Sequence, residues 1–306
     1  MNEPLSAEIL GNTDKYLTFT KGWFHPRDIW HEYNISEEST KQVLRDILQS
    51  KHEAGELDHE GQKYRLVDRE LREIDWFNAD EGDYIHMRLP FNLDNLLKLF
   101  PGVVVIAGEK GKGKSAWLMD CIFKNISIER PQHYFVSDAQ DVEIKERFLN
   151  LLEGKGQSLP DPDTLKVYER HSKFGDVIVR DGINYVDYLD KNSDFYQIGQ
   201  EIDDIGNATG KGITFIALQK NPKEKLGVGG VASWKRAQVY ITLAEPTDAV
   251  MSGWFGELKL LRTRGRQSKF IDPTGMKWGY WLKEGHRFMV ETHSTRQWET
   301  GKLNGG

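Results

Sequence analysis

Cysteine is nearly missing from this chain: Cys121 stands alone among 306 residues. A lone thiol excludes an intrachain disulfide and fits a reducing compartment. Long apolar runs are missing too, the longest being residues 103–107, far short of the twenty or so that cross a bilayer. The opening Met1-Asn2-Glu3-Pro4-Leu5 shows no basic segment followed by an apolar one, so no export signal is expected and the expected location is the cytoplasm, with no membrane partner. The nine histidines lack the spacing of a zinc site, and no internal repeat occurs. A basic excess is also missing. The formal charge of −6 excludes a coat of positive surface and leaves nucleic-acid contact to local patches. One such patch lies between Gln219 and Lys269, where ten lysines and arginines face four carboxylates.

The most informative stretch is Gly108-Glu109-Lys110-Gly111-Lys112-Gly113-Lys114-Ser115, which satisfies G-x-x-x-x-G-K-[ST], the phosphate-binding P-loop. The β-branched run Val103-Val104-Val105-Ile106 precedes it, and a helix is expected from Ala116 onward. Glycines let successive backbone N–H groups point at one centre, and the helix start adds its partial positive charge there. Residues 108–116 are therefore expected to bind a nucleoside triphosphate such as ATP. Lys114 would reach the β- and γ-phosphates, and the Ser115 hydroxyl would sit on Mg²⁺.

Residues 1–70 carry a separate pattern. Pro26 opens a short helix through Tyr33, and Ser36 or Ser39 can cap a second in which Val43, Leu44, Ile47 and Leu48 recur at helical spacing. Gly55 ends it. Two short strands turning at Glu60-Gly61 then read as a β-hairpin. Helix, turn, helix and hairpin together are similar to a winged-helix domain, in which the second helix enters the major groove. Lys41, Gln42, Arg45 and Gln49 would form its exposed face, facing DNA or a protein partner, since this module is not basic. Residues 71–86 read as a linker and 87–306 as the nucleotide-binding domain.

Downstream, further apolar runs each finish in a polar residue: Asp138, Asp187 and Gln219. Strands alternating with helices describe an α/β fold with a parallel sheet and a ligand at the strand carboxyl ends, closed by a C-terminal β-hairpin. Asp181 also ends an apolar run and rivals Asp187. With the P-loop, the strings Val186-Asp187-Tyr188-Leu189, Ile216-Ala217-Leu218-Gln219-Lys220-Asn221-Pro222 and Leu260-Leu261-Arg262-Thr263-Arg264-Gly265 resemble the RecA-like ATPase core, in its replicative-helicase (DnaB-like) branch. The resemblance covers roughly residues 89–290. It implies Asp138 as the carboxylate that activates water, in place of the family's usual glutamate. It implies Asp187 on the Mg²⁺ side, Gln219 as a γ-phosphate sensor, and Arg262 and Arg264 as fingers reaching a neighbouring subunit's ATP. It also implies that the loop after Gln219 grips single-stranded DNA, with Lys220, Lys223, Lys225, Lys235 and Arg236 as its cations. The expectation is an oligomeric DNA-acting ATPase, ring or filament. The alternative is an ATP-switched DNA-binding or adaptor protein with slow turnover.

Overall fold

The computed structural model describes residues 3–20, 22–67, 69, 84–137, 140–153, 158–189, 195–246 and 253–290. The chain divides into two compact units, Met1–Asn78 and Ala79–Gly306.

The first unit runs α1 (Glu3–Phe19), α2 (Pro26–Glu32), α3 (Glu38–Glu53), β1 (Leu57–Glu60) and β2 (Lys63–Leu66). The second and third helices and the antiparallel hairpin fall where the sequence places them. Helix α1 was not foreseen, although Ile9, Thr13 and Leu17 recur every fourth residue and are all buried. Helix α2 starts with a capping box: the His25 ring accepts from the Arg27 amide, and Asp28 accepts from the His25 amide. Helix α3 differs from expectation at its start. Its N-cap is Glu37, with no side-chain cap bond, so neither Ser36 nor Ser39 caps it. What fixes α3 is packing: Leu44 and Leu48 are fully buried against Ile29, Leu57 and Tyr64, each contributing about 1.5–3 kcal/mol.

The second unit is built on a nine-stranded sheet. In chain order its strands are β3 (Gly102–Gly108), β4 (Gln132–Val136), β5 (Leu165–Glu169), β6 (Ile183–Leu189), β7 (Ile213–Gln219), β8 (Val239–Ala244), β9 (Gly256–Thr263), β10 (Lys277–Lys283) and β11 (Arg287–Val290). Across the sheet they lie in the order β11-β10-β9-β8-β3-β7-β6-β4-β5. The six from β8 to β5 are parallel, and β9, β10 and β11 extend them antiparallel. β3 is central and apolar on both sides, which a buried parallel strand requires. Val104 and Ile106 face one core with α4 (Lys114–Lys124) and α5 (Asp141–Leu152). Val103, Val105 and Ala107 face the other, with Ile198, Ile202 and Ile205 of α6 (Phe195–Thr209). A short helix α7 (Val231–Lys235) precedes β8. Of the expected linker, residues 71–83 lie outside the described residues. Ile85 is buried and its amide donates to the Leu99 carbonyl at 2.8 Å, within the second unit.

Candidate active site

The parallel order brings the ends of β3, β7 and β6 side by side. Gly108 stands in register with Gln219, and the register between β6 and β7 shifts just at Asp187, between Val186 and Leu189. From Gly108 the chain curls through 109–113 into α4, with Gly111 at φ 76° and Gly113 at φ 91°. Gly113 is the N-cap of α4, and a side chain there is disfavoured twice. Its φ is left-handed, and a Cβ would crowd Phe288 at 3.0 Å and Leu282 at 3.3 Å in the closing hairpin. The Tyr280 hydroxyl donates to the Lys112 carbonyl at 2.8 Å. The turn is thus backed by β10 and β11, and α4 presents its positive pole to the cleft. That cleft has a volume of about 810 Å³.

Lys114, Ser115, Asp187 and Gln219 converge there. The Lys114 ammonium donates to the Gly108 carbonyl at 3.1 Å, the Glu109 carbonyl at 3.2 Å and Gln219 Oε1 at 3.1 Å. Ser115 Oγ donates to Asp187 Oδ1 at 3.0 Å, and the buried Tyr134 hydroxyl donates to Asp187 Oδ2 at 2.5 Å. Asp187 is 6% exposed. Burial pushes its pKa up, against the lowering effect of the two hydroxyls. Burial also pulls the Lys114 ammonium below its ordinary value, opposed by Asp187. Among the described residues Lys114 bonds only neutral oxygens and Asp187 only hydroxyls, each feeling the other's charge without an ion pair. A polyphosphate with a divalent metal would supply direct partners to both.

The donor set fits Mg²⁺. Ser115 Oγ and the Asp187 carboxylate are hard oxygens, and no cluster of three or more His, Cys, Asp or Glu able to hold a metal occurs among the described residues. A metal taking its remaining ligands from phosphate and water matches the habit of Mg²⁺.

Two residues of this site were not foreseen. Tyr134 reaches Asp187 because β4 and β6 pair in register, Tyr134 opposite Tyr185 and Val136 opposite Asp187; strand order is invisible in one sequence. Arg147, on α5, lines the cleft beside Lys114 and Ser115, and its charge lowers the pKa of Asp187. It is paired with Glu143 one helical turn back.

Other expected residues are placed differently. Asp138 lies outside the described residues. Asp181 sits before β6, at the opposite end of the sheet from Asp187, where its carboxylate accepts from the Lys211 amide at 2.6 Å. Within the P-loop, Lys110 and Gly111 are exposed and Ala116 is buried in the first turn of α4. Glu109 and Lys112 turn their side chains away from the phosphate position. Glu109 pairs with Lys220 at 2.9 Å, and Lys112 donates to the Phe255 carbonyl at 2.7 Å and pairs with Glu245. Their backbone amides are engaged as well, Glu109 donating to the Leu243 carbonyl at 3.0 Å and Lys112 to the Glu109 carbonyl at 3.2 Å.

Lys220 therefore differs from expectation: it is 5% exposed and paired, and cannot follow a nucleic-acid backbone. Lys223, Lys225 and Lys235 are exposed. Arg236 is drawn to α6, bonding Asn207 at 2.6 Å and pairing with Asp203 at 3.6 Å. Arg262 and Arg264 part company. Arg262 lies over the Trp234 ring, 5.8 Å from its centroid, and donates to the Trp234 carbonyl at 2.7 Å. Arg264 is exposed. Only Arg264 keeps a side chain free to extend outward, because Arg262 is bonded within its own chain.

On α3 of the first unit, Lys41 and Arg45 both pair with Glu38, at 3.7 and 2.9 Å, and both lie over the Trp30 ring. Gln42 bonds Asp46 and Gln49 bonds Glu53, both at 2.9 Å. The polar ends of this face bond one another. No protein-family model matches this chain, and no curated protein matches it at a significant level.

Proposed function

We propose that the chain is a Mg²⁺-dependent ATPase of the RecA/helicase type, oligomeric and acting on single-stranded DNA, with a winged-helix-like module ahead of its ATPase domain. One observation carries this reading: Lys114, bonded only to neutral oxygens, and the buried Asp187, bonded only to hydroxyls, converge at the positive pole of α4. In hydrolysis, water attacks the γ-phosphorus and the bond to the β–γ bridging oxygen breaks. Lys114 neutralises charge on the phosphate oxygens, and the backbone amides of Lys110, Gly111 and Gly113 to Ser115 hold the chain of phosphates in line. Asp138 takes the water's proton. Ser115 and Asp187 would hold Mg²⁺, which would supply further charge neutralisation. Arg264 completes a neighbouring subunit's site. Lys223 and Lys225, exposed on the turn after β7, contact phosphates without reading bases.

Calorimetry with ATP and Mg²⁺ tests the core of this reading, and hydrolysis with and without a single-stranded oligonucleotide tests the rest. Saturable heat and oligonucleotide-stimulated turnover are expected; no heat at saturating ATP overturns it. The α3 face favours a second reading. With Lys41 and Arg45 engaged by Glu38, the first unit suits a protein partner better than DNA, as in an ATP-switched adaptor. Slow hydrolysis unaffected by oligonucleotide, with ATP-dependent assembly, would select it.

A further inference from the structure

Glu109 and Lys220 form the most enclosed ion pair in the described residues, with 8% and 7% of their side chains exposed. A buried pair is weak support for stability, because desolvation offsets most of the attraction. Its placement is more informative. Lys220 is the first residue of the segment after β7, and Glu109 is the first residue of the turn after β3. Their backbones are also joined, the Lys220 amide donating to the Gly108 carbonyl at 2.9 Å. The remaining polar atoms of the pair are satisfied: Lys220 Nζ donates to the Asn221 carbonyl at 3.2 Å, and Glu109 Oε2 accepts from the Glu245 amide at 3.2 Å.

The same segment is fastened where it returns. The Val228 amide donates to the Gln219 carbonyl at 2.7 Å and the Gly227 amide to the Tyr240 hydroxyl at 2.9 Å. Gly227 packs so closely that a Cβ there would meet Ala107 at 2.9 Å. Between these fixed points lie only residues 221–226, exposed from Asn221 to Lys225 and carrying Lys223 and Lys225, with Leu226 half-buried against the core. One more side chain joins the turn to the cleft, Gln219, whose Oε1 accepts from Lys114. A phosphate that engages the Lys114 ammonium competes with that bond while the Glu109–Lys220 pair, out of the cleft, stays closed.

We infer that Glu109 and Lys220 are positioning residues that anchor the root of the 221–226 turn to the phosphate-binding turn, so that nucleotide occupancy is felt at Lys223 and Lys225 through Gln219. This rests on the nucleotide reading above. Without the anchor the turn has slack at its root, and a change at Gln219 is lost before it reaches the lysines.

The test uses the full chain carrying Glu109→Gln with Lys220→Met, which removes both charges and leaves neither buried alone. Glu109→Gln by itself serves as a second variant, keeping the side-chain shape and the Glu245 bond. Amide hydrogen exchange of residues 220–228 is read with and without Mg²⁺ and a non-hydrolysable ATP analogue, and analogue affinity is read by calorimetry. In the parent chain the analogue changes exchange in the turn by about tenfold. In the double variant, exchange without analogue rises by about tenfold and, at analogue concentrations that saturate each protein by calorimetry, the analogue-induced change falls below about twofold. A double variant with parent-like exchange and a parent-sized response overturns the anchor and leaves nucleotide binding standing. Failure of the analogue to bind the parent chain removes the nucleotide reading, and the coupling with it; parent-like exchange without analogue removes the anchor alone.

Discussion

The α3 face and the P-loop cleft both gather lysine, arginine and carboxylate side chains, and they differ in how far those groups already satisfy one another. On α3, Glu38 serves Lys41 and Arg45, Asp46 serves Gln42, and Glu53 serves Gln49. In the cleft, Lys114 rests on two carbonyls and an amide oxygen, and Asp187 on two hydroxyls. Charged groups held only by neutral ones are poised for a ligand of opposite charge. Charged groups that pair along one helix face gain little from leaving it.

Replacing Lys114 tests this contrast hardest. Lys114→Ala should weaken ATP binding by roughly 50- to 100-fold, the loss of a charged contact of about 2–3 kcal/mol, and abolish turnover. Calorimetry and phosphate release measure the two. Parent-like affinity would place the phosphates elsewhere. Arg262, at the end of β9, and Arg264, just beyond it, come next. Arg264→Ala should cut hydrolysis by about 10³-fold with nucleotide affinity nearly unchanged. Arg262→Ala should instead lower stability by about 1–2 kcal/mol through the lost Trp234 contacts, with a smaller effect on rate. Equal rate losses in the two would return Arg262 to the finger role.

His133 sharpens the comparison from another side. It is buried with both ring nitrogens unbonded, yet nothing of opposite charge converges on it: Tyr168 stacks at 6.1 Å, and Lys166 is the nearest influence after burial itself. Burial and then Lys166 lower its pKa, so below the ordinary histidine range the unfolded chain binds more protons than the folded one. Stability should rise with pH through that window and be lost as pH falls below it. Melting temperatures between pH 5 and 8 should show this slope, and His133→Phe should flatten it. The smallest effect belongs to α3. Lys41→Ala and Arg45→Ala should each change stability by less than about 0.5 kcal/mol and duplex-DNA binding by less than twofold. A drop in the salt dependence of DNA binding would show that the face opens for nucleic acid.

How much of this was readable beforehand follows from the range of each interaction. The P-loop was legible because its chemistry is local: glycines, lysine and serine at fixed spacing between an apolar strand and a helix. Strands β3 to β7 and the closing hairpin were legible because buried strands are written as short apolar runs. Helix α1 was missed although Ile9, Thr13 and Leu17 mark its inner face. Tyr134, Arg147 and the pairing of Glu109 with Lys220 were not legible, since each depends on which strands lie side by side. The α3 face was half legible. Gln42 and Gln49 are exposed as expected, but Lys41 and Arg45 are half-buried over Trp30, and the pairing along the face depends on rotamers that helical spacing permits without dictating.

The contact of Phe288 and Leu282 with Gly113 ties the middle of the chain to a segment about 170 residues later. At ordinary rates of translation that interval lasts on the order of ten seconds or more. A nascent polypeptide emerging from the ribosome owns the P-loop motif long before it owns the wall that steadies it. Any affinity for nucleotide would therefore arrive late in biosynthesis, and a fragment truncated ahead of Lys277 should expose an unbacked turn and the aromatic surface that β10 and β11 otherwise cover.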